Sequence, residues 1–446
     1  MNVQGNNTPR TVVVGLGRTG MSVVRYLRAQ GRAVAVTDTR AAPPALPQLR
    51  ALAPEVTVSA GGLDQRLLAG ADAIVVSPGI AAQGAFFDAA RAQGLPVYGD
   101  IELFARAARA PVVGITGTNG KSTVTTLVGN MAQRAGRRTR VGGNLGAPAL
   151  ELLDPGAELY VLELSSYQLD TTESLTLAAA AVLNVSADHL DRYGTLDAYA
   201  ASKARIFRRC GTAVVNADDP QVLAMAVAAE RRLRFSLDAA SGAEYTLQRH
   251  AGRAWLARGA ERLLALEELK IAGRHNAANA LAALALGEAL ELPRAAMLAA
   301  LREFPGLPHR TAWVAEVAGV RYVDDSKGTN VGATLAALAG FDGPLLLIAG
   351  GLGKDQDFTP LAAALRGKVR HALLIGRDAR ALGAALAGSC AIDYCATLEA
   401  AVALAAQHAR SGDTVLLSPA CASQDMFRDY AHRGAAFAAA VRGLAA

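Results

Sequence analysis

Short apolar runs recur along the chain, and between them Ala, Leu and Val return at helical spacing. Thr11-Val12-Val13-Val14, Ala33-Val34-Ala35-Val36-Thr37 and Ala73-Ile74-Val75-Val76 open the series. Pro111-Val112-Val113, Leu159-Tyr160-Val161-Leu162 and Ala181-Val182-Leu183-Asn184-Val185 continue it. Val320-Arg321-Tyr322-Val323, Leu345-Leu346-Leu347-Ile348, Ala372-Leu373-Leu374-Ile375 and Thr414-Val415-Leu416-Leu417 close it. Most of these runs are apolar throughout rather than alternating, which describes strands covered on both faces. Strands that alternate with helices predict parallel sheets between helical layers, an α/β chain.

The pattern separates into three blocks, 1–97, 98–304 and 305–446. The last boundary falls at Phe304-Pro305-Gly306-Leu307-Pro308, where proline and glycine punctuate the chain. In the second block, Arg234 to Leu269 is less regular and reads as an excursion of β-hairpins, and an Ala-rich helix is expected over 280–290. The 446-residue length suits about three domains. With 52% hydrophobic but only 5% aromatic residues, the cores must be filled by Ala, Leu and Val.

Net charge +6 and a pI near 9.2 suit small polyanionic substrates. The basic residues are scattered and have few aromatic neighbours, so no nucleic acid is expected as a partner. Cys210, Cys390, Cys395 and Cys421 form no C-x-x-C pair, which fits a reduced, cytoplasmic interior. The polar start, residues 1–7, lacks the plan of a signal peptide. The nearly uncharged stretch from Val331 to Gly353 is broken by Gly332, Gly340, Asp342, Gly343 and Pro344. It reads as helix, turn and strand, and no membrane insertion is expected.

The strongest chemical signal is Gly114-Ile115-Thr116-Gly117-Thr118-Asn119-Gly120-Lys121-Ser122-Thr123, set between a strand and a helix. A glycine-rich turn there brings backbone N–H groups and a helix N-terminus to a polyphosphate. Lys121 can reach the terminal phosphates, and Ser122 or Thr123 can hold Mg²⁺. The usual spacing would need glycine where Ile115 stands, so this is a variant phosphate loop, and ATP is the expected ligand. An ordinary glycine turn before a helix is the competing reading.

In the first block Gly15, Gly17 and Gly20 fit G-x-G-x-x-G, and Asp38 ends the next strand, where an acid can accept a ribose hydroxyl. The turn alone fits a nicotinamide dinucleotide and a nucleotide-linked substrate equally. Glu163 follows one strand of the second block, and Asp188 and His189 follow another. Strand carboxyl ends form the ligand crevice of parallel sheets, so Glu163 and His189 are candidates for a phosphate-bound Mg²⁺. Lys203 alone reads as a solvated helix lysine. Asn276 and Asn279 share a helix face and could hold a base or cap the helix. In the third block Asp324 to Asn330, Gly350 to Asp355 and Ser418 to Ser423 each follow a strand, which argues for a second crevice.

Taken in order, these segments resemble the Mur ligases over essentially the whole chain. The resemblance rests on Gly15-Leu16-Gly17-Arg18-Thr19-Gly20, Ser77-Pro78-Gly79-Ile80, Gly117 to Thr123 and Gly143-Asn144-Leu145-Gly146. It continues through Leu162 to Gln168, Asp188 to Tyr193, His275 to Asn279, His309-Arg310, Asp325 to Asn330 and Leu417 to Ser423. The first turn and Leu417-Ser418-Pro419-Ala420-Cys421-Ala422-Ser423 point to the D-glutamate-adding branch.

The resemblance implies three α/β domains, the first and third Rossmann-like, around a central P-loop ATPase-like domain. It implies a monomer that uses ATP and Mg²⁺ to join D-glutamate to UDP-N-acetylmuramoyl-L-alanine. It assigns the UDP-substrate to Gly17, Arg18, Thr19, Asp38, Thr39, Ser77, Gly79 and Asn144. ATP falls to Gly117, Thr118, Asn119, Gly120, Lys121, Ser122, Thr123, Asn276, Asn279, Arg310 and Asp325. Glutamate falls to His189, Thr329, Lys354 and Ser423. The metal falls to Ser122, Glu163, His189 and Lys203, the last as a carbamate, and catalysis to Lys121, His189 and Lys203. Groups on separate blocks imply that the third closes over the second. A dehydrogenase, a folylpolyglutamate synthase (whose relatives lack such a first block) and a non-catalytic nucleotide-binding regulator are the other readings.

Overall fold

The structure is a computed structural model and describes residues 10–225, 229–271, 273–341 and 343–444; the amino-terminal stretch 1–7 and Asp342 lie outside them. Its strands form three sheets. The first holds β1 (Arg10–Val14), β2 (Ala33–Asp38), β3 (Thr57–Ala60), β4 (Ala71–Val76) and β5 (Val97–Tyr98), all parallel, in the order 3-2-1-4-5. The chain reverses its direction of winding between β1 and β4, the place where an open parallel sheet splits to form a crevice.

The central sheet holds β6 (Val112–Thr116), β7 (Thr139–Gly143), β8 (Leu159–Glu163), β9 (Leu177–Val182), β10 (Cys210–Asn216), β11 (Arg231–Ser236), β12 (Tyr245–His250), β13 (Arg253–Arg258) and β14 (Glu261–Ala265). Their order is 14-13-12-11-10-9-6-8-7. The hairpins expected in the irregular segment are present as β12, β13 and β14, and they extend the same sheet. β11 continues the parallel sheet beside β10, and only β12, β13 and β14 form an antiparallel meander at its edge.

The third sheet holds β15 (Ala312–Val317), β16 (Val320–Asp324), β17 (Leu345–Gly350), β18 (Val369–Ile375), β19 (Ala391–Tyr394) and β20 (Thr414–Leu417), in the order 15-16-20-17-18-19. All its neighbours are parallel except β15 with β16.

Two expected elements are displaced. The strand read at 181–185 lies at Leu177–Val182. Small Ala179, Ala180 and Ala181 pair with β6, and the chain leaves the sheet after the Leu183 N–H donates to the Thr116 carbonyl. Asn184 is then released to bind the phosphate loop. The helix expected over 280–290 begins earlier and runs Arg274–Ala289, so Asn276 and Asn279 lie in its opening turns. It packs with the helices Lys121–Arg134 and Arg294–Glu303 over the central sheet through Leu127, Met131, Leu281, Leu284 and Met297.

Asp100 begins the helix Asp100–Ala107, which leads from the first sheet towards the central one. It is 1% exposed. One carboxylate oxygen accepts from Gln168 Nε2 at 3.4 Å, and the other has no partner. Burial lifts its pKa from 3.8 to about 6. Because the folded value is the higher one, the folded state binds the extra proton between about pH 4 and 6, and stability falls as pH rises through that window. A rise of that size corresponds to roughly 3 kcal/mol. Asp100→Asn is neutral at every pH, so it should stabilise the fold at pH 7.5 by up to about 3 kcal/mol and at pH 4.5 by only about 1 kcal/mol. Urea titrations of both proteins at the two pH values test this; an equal difference at both would refute it.

Candidate active site

The phosphate loop joins β6 to the helix Lys121–Arg134. Gly120 caps that helix with φ +82°, a left-handed conformation that suits glycine, and an added Cβ would meet Asn279 Oδ1 at 2.3 Å. Asn184 braces the loop from β9's end. Its carbonyl accepts from Thr118 N at 2.9 Å, its Oδ1 from Asn119 N at 2.8 Å, and its Nδ2 donates to the Asn119 carbonyl at 3.1 Å. The sequence hides this role, because Asn184 reads there as part of a strand.

Lys121 curls over the loop and donates to the carbonyls of Gly117 at 2.9 Å and Thr118 at 2.8 Å. Lys203, on the helix Leu196–Ala204, donates to the same Gly117 carbonyl at 3.0 Å. It is 1% exposed and lies 4.2 Å from the centroid of the Tyr199 ring. The reading of Lys203 as a solvated helix lysine is thus overturned. Burial first, and the charge of Lys121 second, push the Lys203 ammonium well below its usual pKa. Burial likewise lowers Lys121, with Glu163 opposing.

Glu163 ends β8 beside Ile115 of β6. Its Oε1 accepts from Asn144 Nδ2 at 2.7 Å, while Oε2 is buried with no partner. Burial raises its pKa, but Lys121, the Ser122 hydroxyl, Asn144 and Arg310 together hold it below the ordinary value. An ionised carboxylate with a free buried oxygen, next to the Ser122 hydroxyl, fits a hard divalent cation. His189 sits at φ +56°, and its Nδ1 lies 2.7 Å from the Tyr167 hydroxyl. Burial lowers its pKa, and Asp188 only partly restores it, so the ring is held neutral and able to ligate.

The third sheet reaches this cavity through its strand ends. Arg310 donates to Ser122 Oγ at 2.8 Å. Lys354 Nζ lies 3.3 Å from Asp188 Oδ1, and Asn330 Nδ2 donates to Asp188 Oδ2 at 3.2 Å. Thr329, Lys327 and Ser423 line the same space with Lys121, Glu163, His189 and Lys203. Beside it a second pocket is lined by Asn119, Gly120, Thr123, Asn276, Asn279, Arg310 and Asp325. Asn279 Nδ2 donates to Asn276 Oδ1 at 3.1 Å. Burial lifts Asp325 to about 7, against hydrogen bonds from Ser418 and Thr311 and the charge of nearby Arg310. Lys327, 3.9 Å from the Tyr430 ring centroid, is lowered to about 8 by burial and by Arg310 and Lys121.

A third crevice opens at the carboxyl ends of β1 and β4. Gly17, Arg18, Thr19, Thr39, Ser77, Gly79 and Asn144 line it. Asp38 does not. It is fully buried behind the wall, where its carboxylate accepts from Leu16 N at 2.6 Å and from the Arg40 side chain at 2.9 and 2.7 Å. Arg40 lines the crevice in its place. Arg433, also missed by the sequence reading, is 1% exposed. It donates to Ser326 Oγ, the Ser326 carbonyl and the Cys421 carbonyl at 3.0, 2.8 and 3.1 Å, tying two of the third sheet's loops together.

Comparison with known proteins agrees with this geometry. Residues 9–99 match the N-terminal domain of MurD-like Mur ligases, 115–287 the Mur ligase middle domain and 309–421 the glutamate ligase domain of Mur ligases. The chain is 54% identical over 437 residues to the UDP-N-acetylmuramoylalanine–D-glutamate ligase of Nitrosococcus oceani, covering 97% of this chain and 96% of that protein. It is 51% identical over 436 residues to the same-named ligase of Methylococcus capsulatus, covering 98% and 95%. Among solved structures it resembles the UDP-N-acetylmuramate–alanine ligase MurC of Thermotoga maritima, with TM-score 0.63 and 19% identity over 97% of this chain and 99% of that one. MurF of Acinetobacter baumannii gives 0.62 and 18%, over 97% and 93%. The structural matches speak to the fold alone; the family models and the close relatives establish that the chain belongs to the Mur ligase family, in its UDP-N-acetylmuramoylalanine–D-glutamate ligase branch.

Proposed function

We propose that the chain uses ATP to join D-glutamate to UDP-N-acetylmuramoyl-L-alanine, a step of peptidoglycan synthesis. The observation that carries this reading is one cavity, reached from all three sheets, in which a phosphate loop, an unpartnered buried carboxylate oxygen and a pKa-depressed lysine converge.

The UDP part of the substrate lies in the crevice at the carboxyl ends of β1 and β4, against Gly17, Arg18, Thr19, Thr39, Ser77 and Gly79. Asp38 acts from behind by fixing Arg40. Asn144 borders both the crevice and the central cavity, so the alanyl end can extend to the phosphate loop. ATP lies along Gly117 to Thr123, with its adenosine against Asn276 and Asn279 and with Arg310 and Asp325 on the far side. The alanyl carboxylate attacks the γ-phosphorus and ADP leaves, giving an acyl phosphate. The glutamate amine, held by His189, Thr329, Lys354 and Ser423, then adds to the acyl carbon, and the tetrahedral intermediate expels phosphate. Phosphoryl transfer asks mainly for positioning and charge neutralisation, which Lys121 and Arg310 supply.

Mg²⁺ bound by Ser122 and Glu163, with a second ion at His189 and Lys203, would add charge neutralisation at the phosphates. Two ammonium groups on one Gly117 carbonyl repel each other, which favours the neutral amine of Lys203. That amine is the form that takes up CO₂, and a carbamate would exchange a cation for an oxygen ligand. Domain limits near 97 and 304, a monomer and a cytoplasmic setting complete the proposal. The chain's four cysteines are free, which suits a reducing setting.

Sustained ADP release that requires both the UDP-muramoyl-alanine and D-glutamate is the defining test; multiple-turnover release at an undiminished rate with either one left out would reject the reading. Lys121→Ala should lower kcat at least about a hundredfold, the scale of one transition-state phosphate contact. Calorimetry should find its UDP-substrate affinity unchanged; activity within tenfold of wild type would overturn the loop assignment. Lys203→Ala should lose activity to a similar degree, and added formate or acetate should restore part of it. A fully active variant would remove the carbamate from the proposal.

A further inference from the structure

His371, Asp393 and His408 meet at the far side of the third sheet. His371 lies early in β18, Asp393 lies in the edge strand β19, and His408 is the last residue of the helix Leu398–His408. Leu373 pairs with Asp393, and side chains alternate along a strand, so His371 and Asp393 share one face. The helix covers that face through Leu398 and Val402 against Leu373 and Ile375. His371 Nε2 lies 2.5 Å from Asp393 Oδ2, and His408 Nε2 lies 3.5 Å from the same oxygen. The imidazoles stack with centroids 4.0 Å apart and planes 25° apart.

We propose that His371, Asp393 and His408 form a binding site for a divalent transition-metal ion of the zinc and nickel class. One ligand atom from each residue lies within 4.8 Å of the others. Bonds of about 2.0–2.2 Å around a tetrahedral ion place its ligands roughly 3.5 Å apart. The His408–Asp393 distance already fits. The shorter His371–Asp393 contact opens by about 1 Å, and one imidazole turns out of the stack so that both in-plane lone pairs meet the ion. Two imidazoles with one carboxylate favour zinc or nickel over magnesium or calcium, which prefer oxygen. His408 also stands at the carbonyl end of its helix, where the macrodipole attracts a cation. Arg370 steadies that end from outside the ligand set. It donates to the His408 carbonyl at 3.3 Å and pairs with Asp413. Asp393 and His408 are partly exposed, with side chains 41% and 37% accessible, so an ion can enter and keep water in the fourth position.

The site is remote from the reaction. The catalytic loops leave the carboxyl ends of the strands, whereas His371 is about four residues, or roughly 13 Å, nearer the amino end of β18. The ion's role is therefore to clamp the edge strand and its helix to the sheet.

Calorimetric titration of the whole chain with ZnCl₂, and separately NiCl₂, tests the proposal against His408→Ala and Asp393→Asn. His189 and Glu163 can also take zinc, so the readout is the difference between proteins. Wild type should bind one more equivalent than either variant, or bind that equivalent about a hundredfold or more tighter. Zinc should raise the melting temperature of wild type more than that of the variants. Ligase turnover in Mg²⁺ should be the same in all three. His408 ends an exposed helix turn, so His408→Ala keeps its fold and the comparison remains decisive if Asp393→Asn does not. Equal stoichiometry and equal melting shifts in wild type and His408→Ala would show a histidine–aspartate hydrogen-bond cluster and overturn the metal site.

Discussion

The central cavity holds more positive than negative charge, and most of the surrounding structure answers to that imbalance. Lys121, Lys203, Lys327, Lys354 and Arg310 face Glu163 and Asp188, while burial lifts the nearby Asp325 to about 7 and so removes much of its charge. Cations crowded out of water repel each other, and each lowers its neighbours' affinity for a proton. Burial is the first cause that depresses the pKa values of Lys121, Lys203, Lys327 and Arg310; neighbouring cations add to the fall at the three lysines, whereas the charges around Arg310 oppose it. Such a cavity is costly when empty and is relieved by a polyanion. A nucleoside triphosphate and a carboxylate on its way to an acyl phosphate are ligands of that kind. Preformed charge of this sort stabilises a transition state without reorganising during the reaction.

Asp188 holds the two halves of that cavity together. It belongs to the central domain, yet it accepts from Lys354 and Asn330 of the third, and its Oδ1 also takes the His189 N–H at 2.9 Å. Lys354 and Asn330 are thereby placed by the same carboxylate that fixes the backbone of the neighbouring imidazole. Asn330 also exchanges amide hydrogen bonds with Asn119 of the phosphate loop at 3.4 and 3.3 Å. The docking of the third sheet on the second is therefore polar and buried at its centre. Interfaces of that kind separate more readily than apolar ones, because water can satisfy each group once they part. A closure that brings Lys354 and Asn330 onto the phosphate loop and excludes water from the cavity is compatible with such contacts.

Much of this was legible in the sequence, and the exceptions share a cause. The strands named from the sequence were readable because most are covered on both faces, so their runs are largely apolar; β10 and the half-exposed edge strands such as β15 and β19 were not named. The phosphate loop was readable because a helix N-terminus beside a polyphosphate requires glycine. Lys203 was opaque: nothing in its own helix distinguishes a lysine that points at Gly117 from one that points at water. Asn184 and Arg433 were opaque for the same reason, since their partners lie on loops distant in sequence. Four consecutive alanines, Ala178 to Ala181, concealed where β9 begins, because alanine suits a strand, a helix and a close-packed turn.

Asp38 shows how a motif can be present and mean something else. An acid at the end of the second strand ordinarily accepts a ribose hydroxyl, and that reading needs a carboxylate oxygen with a free lone pair facing the crevice. Here Leu16 N, Arg40 N and the Arg40 guanidinium take up the carboxylate, and its pKa falls to about 2 as those hydrogen bonds outweigh burial. The carboxylate therefore acts as the buried root of Arg40. What the crevice presents to a ligand is guanidinium from Arg18 and Arg40 with the hydroxyls of Thr19, Thr39 and Ser77. That wall suits the phosphates of a nucleotide-linked substrate. Once Arg40 has taken the carboxylate, the glycine turn keeps its affinity for a diphosphate but loses the acid that would select the ribose of a dinucleotide.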